Sequence, residues 1–245
     1  MGLLDSIDFW IGLFIGVGIV SLYYARHQPF PEYGNTFGWV SLIVGLIFLL
    51  GENGPRDTSV FAPSVTASII GGFSVIYGVR EMVVTKRDVI VAPFGGVLLS
   101  IGAMSILSEA WIEMNRVDQI VSFILVSIVI GMEIYLAFRG LVIGVQGITW
   151  SKSGLRQVNR GLLEGPHGAI SHFERSWDME DQWINAMSHA ALALIYQYLK
   201  KSDNYKEHVN ELEAIGGWGA VDDAWIEAIK NALDRLNHSN ITTDD

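Results

Sequence analysis

Cysteine is missing from all 245 residues. That excludes a disulfide framework, cysteine-ligated zinc, iron–sulfur clusters and thiol catalysis. Charge is scarce: 17% of the residues are Asp, Glu, Lys or Arg, against about 25% in an ordinary soluble domain. Positive charge is scarcer still, with 16 Lys and Arg against 26 Asp and Glu and a net charge of −10. Broad contact with nucleic-acid phosphates is therefore not expected. What the chain has instead is apolar residues, half of the total, and a mean hydropathy of +0.34. It is too apolar to be disordered. No H-E-x-x-H, G-x-S-x-G or P-loop pattern occurs, so no motif points to an enzyme, and no cofactor or metal centre is expected.

The apolar residues gather into five windows, at about 9–25, 36–51, 59–79, 89–108 and 117–138. Each approaches the roughly 20 residues that cross ~30 Å of hydrocarbon. The segments between them hold the breakers, such as His27-Gln28-Pro29-Phe30-Pro31 and Thr85-Lys86-Arg87-Asp88. Within the second window, residues 42–50 read LIVGLIFLL and are apolar on every side, unlike a surface helix of a soluble protein. Backbone groups in lipid must bond within their own segment, so these windows predict helices rather than strands. The expectation is an all-α protein with a five-span transmembrane bundle over 1–147 and a small three-helix domain after it. Five spans place the connections alternately on two sides. One side holds Arg26, Arg80, Lys86, Arg87, Arg139, Lys152, Arg156 and Arg160, and the other only Arg56 and Arg116. The positive-inside rule then puts the N-terminus outside and the C-terminus in the cytosol.

The membrane half repeats itself. Residues 37–52 (FGWVSLIVGLIFLLGE) and 94–109 (FGGVLLSIGAMSILSE) share Phe37/Phe94, Gly38/Gly95, Val40/Val97, Leu42/Leu99, Gly45/Gly102, Leu50/Leu107 and Glu52/Glu109. The spans before them align Gly18, Tyr23 and Arg26 with Gly72, Tyr77 and Arg80. Spans 1–2 and 3–4 thus read as a duplicated helical hairpin in one orientation. Glycine partway along a span and proline opening the next occur in Gly38–Gly45, Pro63–Gly78 and Pro93–Gly102. This pattern resembles the HdeD-like family of small membrane proteins over about residues 10–145. The resemblance implies hairpin repeats in a bilayer. It brings no catalytic residue, and the family's six spans and missing cytosolic tail set this chain apart.

Small residues recur four apart: Gly12/Gly16, Ser64/Ser68/Gly72, Gly96/Ser100 and Ser127/Gly131. Such spacing makes one groove per helix and lets backbones approach, within the chain or in a homo-oligomer. Glu133 is the one acid well inside a window. A charge at the bilayer centre costs ~2.5–3.5 kcal/mol on insertion scales, so Glu133 is a candidate proton or cation site. Glu52 and Glu109 hold equivalent repeat positions on an acidic outer face that also carries Asp5, Asp8, Asp57, Glu113 and Asp118. In an oligomer they would ring a vestibule and gather cations.

Beyond the last window, 148–164 reads as a basic amphipathic helix. Leu155, Val158 and Leu162 form its apolar side, and Lys152, Arg156 and Arg160 are placed against anionic inner-leaflet lipids. Residues 165–245 predict a helical domain with a frayed tail: one long helix at about 170–201, a second around 205–212 ending at Gly216-Gly217, and a third at 221–237. On the long helix Glu174, Asp178 and Asp181 share a face, a candidate cation-binding trio. Two functions follow: a membrane-anchored assembly module whose cytosolic part binds a protein, or an oligomeric channel or small transporter built around Glu133.

Overall fold

The computed structural model describes residues 6–52, 54, 59, 61–143, 145–177 and 181–241. No strand occurs among the described residues. The chain divides into two compact units, Met1–Val145 and Gln146–Asp245.

The first unit holds α1 (Ile7–Ala25), α2 (Pro31–Glu52), α3 (Phe61–Arg80), α4 (Val91–Ala110) and α5 (Arg116–Ala137). Among the described residues these five are long and apolar enough to cross a membrane, which is consistent with a multi-pass membrane protein. The windows and helices agree to within a few residues except at three ends. Helix α5 runs on past its window through a π turn, Phe138–Ile143. Helix α2 begins at Pro31, five residues ahead of its window. Proline suits a first helical position because its fixed φ is already helical and its missing N–H has no acceptor there. Helix α3 runs on through a π turn, Glu81–Thr85, closed by Lys86 in the left-handed region at φ 54°.

Helices α1 and α2 pack as one hairpin and α3 and α4 as a second. Each is drawn together by glycine. A methyl group at Gly18 would stand 2.9 Å from the Gly38 carbonyl oxygen, and one at Gly38 would stand 3.0 Å from that of Gly18. In the second hairpin a methyl at Gly71 would stand 2.6 Å from the Gly95 carbonyl oxygen. Gly45 faces Phe14 and Ile15, and Gly102 faces Ser64 and Ser68. The counterpart of Gly18 is therefore Gly71. A methyl on Gly72 would meet only Leu99 Cδ1, at 3.9 Å. The alignment of Gly18 with Gly72 is one residue out. A single residue turns a helix by about 100° and moves a side chain off the packed face.

Inside the unit, Trp10, Phe14, Phe37, Ala67 and Leu98 form one apolar cluster. Ala25, Val75, Met82, Ile90, Ala92 and Leu136 form another. Helix α5 packs on α4. Leu136 is its one buried residue, while Ile120, Phe123, Ile124, Leu125, Ile128 and Ile134 are exposed.

The second unit holds α6 (Gly147–Asn159), α7 (Ala169–Glu174), α8 (Gln182–Tyr198), α9 (Ser202–Ala214) and α10 (Asp223–Ile241). Val158, Phe173, Leu192, Ile195, Ile229 and Leu233 build its main core. The single helix expected at about 170–201 is two, α7 and α8. The apolar stripe is continuous in the sequence, but short polar side chains take over the backbone at the break. Ser176 Oγ donates to the Phe173 carbonyl at 2.6 Å. Asp181 Oδ1 accepts from the backbone N–H of Trp183 and Ile184 at 3.1 and 3.3 Å, opening α8 as an N-cap. Helix α9 does end at Gly216-Gly217, both at positive φ. Helix α10 is helical to Ile241, beyond the expected start of fraying at Asn237.

Candidate functional site

The seam between α4 and α5 holds the intramembrane acid. Glu133 and Leu136, at i and i+3 on α5, and Gly140, in the π turn Phe138–Ile143 that prolongs it, turn towards the start of α4. At Gly140 a methyl group would run into the Val89 carbonyl and Pro93 Cγ. At Gly96 it would run into the Glu133 carboxylate. The glycine of α4 thus makes the space in which Glu133 lies against bare backbone. Glu133 Oε2 is shielded and has no hydrogen-bond partner among the described residues. The same holds for Ser100 Oγ, one turn further along the Gly96 face of α4. Gly96 lies five residues into α4, about 7.5 Å from its start at 1.5 Å per residue.

The other residues singled out in the sequence divide. Ser64 and Ser68 meet Gly102 as a packed contact. Gly12, Gly16 and Gly131 have nothing within 4 Å of where a methyl would stand. Ser127 is exposed, its hydroxyl donating to the Phe123 carbonyl of its own helix at 2.8 Å. Glu52 and Glu109 are not alike: Glu52 is exposed at the end of α2, whereas both Glu109 oxygens are shielded and have no hydrogen-bond partner among the described residues. Asp5, Arg56 and Asp57 of the expected outer face lie outside the described residues.

At the opposite end of the α3–α4 hairpin two acids are buried. Glu81 accepts from Arg80 Nη1 at 3.2 Å and from Thr85 Oγ1 at 2.5 Å. Asp88 Oδ1 accepts from the backbone N–H of Ile90 and Val91 at 3.0 and 2.8 Å, capping the start of α4. Burial, with Glu81 nearby, raises the Asp88 carboxyl to about 6 against the two backbone donors that lower it. Asp88 was not singled out in the sequence. Its signal is an acid placed just ahead of an apolar run, the pattern of an N-cap.

In the second unit α6 lends its apolar side to the core. Val158 is fully buried, Leu155 packs beside it, and a methyl at Gly154 would strike the Phe173 ring. Leu162, the third residue of the expected apolar side, lies beyond the end of α6 at Asn159 and is exposed. Lys152 and Arg160 are exposed and Arg156 is half-buried. The trio of acids is not one face of a helix. Glu174 ends α7, Asp181 caps α8, and Asp178 lies outside the described residues. Among the described residues no three acids or histidines are grouped to hold a metal.

What the fold does assemble there is aromatic. His189 Nδ1 and His208 Nδ1 face each other at 3.2 Å across α8 and α9. Trp177 stacks on His189 with ring centres 5.2 Å apart, and Tyr196 stacks on His208 at 5.4 Å. Burial lowers both imidazoles, so one neutral ring donates to the other. His172 Nδ1 meets the Ser153 hydroxyl at 2.9 Å. Burial, then the nearby Arg175 and His167 charges, lower His172 to about 4. Ser153 is fully buried, so this serine–histidine contact is structural.

Against known protein families, curated proteins and solved structures, the chain matches nothing. The HdeD-like resemblance therefore gains no support here, and function rests on the geometry alone.

Proposed function

We propose that the chain is a membrane-anchored interaction module. Its five-helix half, a duplicated hairpin plus α5, sits in the bilayer, and its second unit receives a protein partner on the cytosolic side. One observation carries this reading. The second unit closes its own core, yet Trp177 in the α7–α8 connection and Trp183 in the first turn of α8 remain 48% and 49% exposed. Tryptophan is enriched among the residues that dominate interface energies. Trp177 is held in place by its stack on His189. Glu174, Glu207 and Glu211 lie close enough to act on the His189–His208 pair. An exposed indole beside acids fits a basic amphipathic segment, whose Lys and Arg side chains lie over indole rings. The test is tryptophan fluorescence of the detergent-solubilised chain titrated with a basic amphipathic peptide and an acidic one of equal length. Binding of the basic peptide alone, weakened at least tenfold in Trp177→Ala/Trp183→Ala, is expected. Equal response to both peptides would refute the reading.

A second reading rests on Glu133, whose Oε2 has no partner in the α4–α5 seam. An unpaired acid at this depth is the ordinary signature of proton or cation handling. Proteoliposomes that pass protons with the native chain and not with Glu133→Gln would support it. Equal flux from both would end it.

A further inference from the structure

The two hairpins leave a crevice between α2 and α3, and it has the polarity of a lipid. Its volume is about 500 Å³, within the usual ~300–1,000 Å³ of small-molecule sites. Phe37 and Val40 of α2 and Phe73 of α3 line its inner part, with Val91 of α4 also in its wall. Towards the start of α2 and the end of α3 the lining turns polar and aromatic, with Glu32, Tyr33, Thr36 and Tyr77. Tyr33 and Tyr77 approach across the gap with ring centres 6.0 Å apart. Tyrosine at this level is the usual boundary between hydrocarbon and headgroup.

The mouth is basic. Arg87 Nη1 donates to Tyr33 Oη at 3.3 Å, and the guanidinium lies 5.9 Å over the Phe30 ring. These contacts fix the charge beside the crevice. Arg80 and Lys86 are also exposed in the same connection, against one exposed acid, Glu32. Glu81 and Asp88 are buried, the first bonded to Arg80 and Thr85 and the second capping α4. Basic pockets between membrane helices hold anionic headgroups.

We infer that this crevice is a binding site for an anionic phospholipid. One acyl chain lies along Phe37, Val40 and Phe73, and the phosphate is held by Arg87 at the Tyr33 hydroxyl. This rests on the membrane reading of the first unit and is independent of any protein partner. The site differs from the inner-leaflet contact expected of Lys152, Arg156 and Arg160, because it has a cavity for the chain as well as charge for the head.

The experiment is native mass spectrometry of the full chain in detergent, titrated with phosphatidylglycerol, phosphatidylethanolamine and phosphatidylcholine of identical acyl chains. The native chain should retain one phosphatidylglycerol at least fivefold more readily than either of the others. Arg87→Gln should bring the three lipids to parity, and Arg87→Lys should keep the preference. Val40→Trp, which fills the crevice from an exposed position, should lower retention of all three while helix content by circular dichroism stays unchanged. Parity in the native chain, or a preference untouched by Arg87→Gln, overturns the site. A chain that retains no lipid and stays monodisperse without detergent overturns the membrane reading instead.

Discussion

Two adjacent glycines offer a sharp test of how the second hairpin is held. A methyl group at Gly71 would stand 2.6 Å from the Gly95 carbonyl oxygen and 2.9 Å from Leu99 Cα. Ordinary contact begins at 3.4 Å, so the overlap with the Gly95 oxygen alone is roughly 0.8 Å, and the Leu99 backbone nitrogen stands closer still. Both partners are backbone and neither can swing aside. The helices would have to part along α3 and α4, and a gap of ~0.5–1 Å forfeits a quarter to a half of each dispersion contact. Overpacking of this kind costs about 1–3 kcal/mol, and the gain in helix propensity from Gly to Ala returns up to ~1. Gly71→Ala should therefore lose about 1 kcal/mol, roughly fivefold in the folding equilibrium. Gly72→Ala meets only Leu99 Cδ1 at 3.9 Å and should be neutral or slightly stabilising. The assay is reversible unfolding in mixed micelles, followed by circular dichroism as the fraction of denaturing detergent rises. Equal losses from the two substitutions would show that the Gly71–Gly95 approach does not hold the hairpin.

Two further outcomes follow from the seam and from the buried ionisable groups. Gly96→Ala should cost about 1 kcal/mol by itself and close to nothing in a Glu133→Ala background, because the clash is with that carboxylate; additive costs in the same micelle assay would separate the two residues. In the second unit, an unfolded chain takes up a proton at His172 below pH 6.5 that the folded chain refuses until about pH 4. Stability should therefore fall on acidification through that window, by up to ~1.4 kcal/mol per pH unit. Lowered His189 and His208 act in the same direction. Asp88 acts oppositely: raised to about 6, its carboxyl takes up a proton sooner in the folded chain, so its contribution is lost as pH rises through 6. Thermal melts at pH 7.5 and 5 should show a smaller acid loss in His172→Gln and a larger one in Asp88→Asn. Identical pH dependence in all three chains would refute the assignment.

Much of this was legible along the chain. Five windows of apolar residues correspond to five helices because a membrane helix satisfies its own backbone and needs only length and composition. Proline and glycine marked the breaks for the same local reason. The candidate site was less legible. Glu133 stood out because acid is rare in such a window, but nothing in the spacing pairs it with Gly96, 37 positions earlier. Asp88 carried a local signal, a cap ahead of an apolar run. Trp177 and His189 fell on one long expected helix, twelve residues apart and with no signal pairing them, and the break after Ser176 brought them into a stack.

Composition and periodicity by themselves determined the helical class, the number and bounds of the apolar helices, and the residues eligible for close approach. Those properties depend on neighbours within a turn or two and on the solvent around them. Tertiary structure alone decided which glycines are pressed against backbone, with Gly71 used and Gly72, Gly12 and Gly131 left open. It also decided that α6 turns its apolar side into a core, and that Glu133 lies where its oxygen finds no partner. Facing is set by the rotation of one helix against another, and a slip of one residue, about 100°, changes it while leaving the linear pattern almost the same.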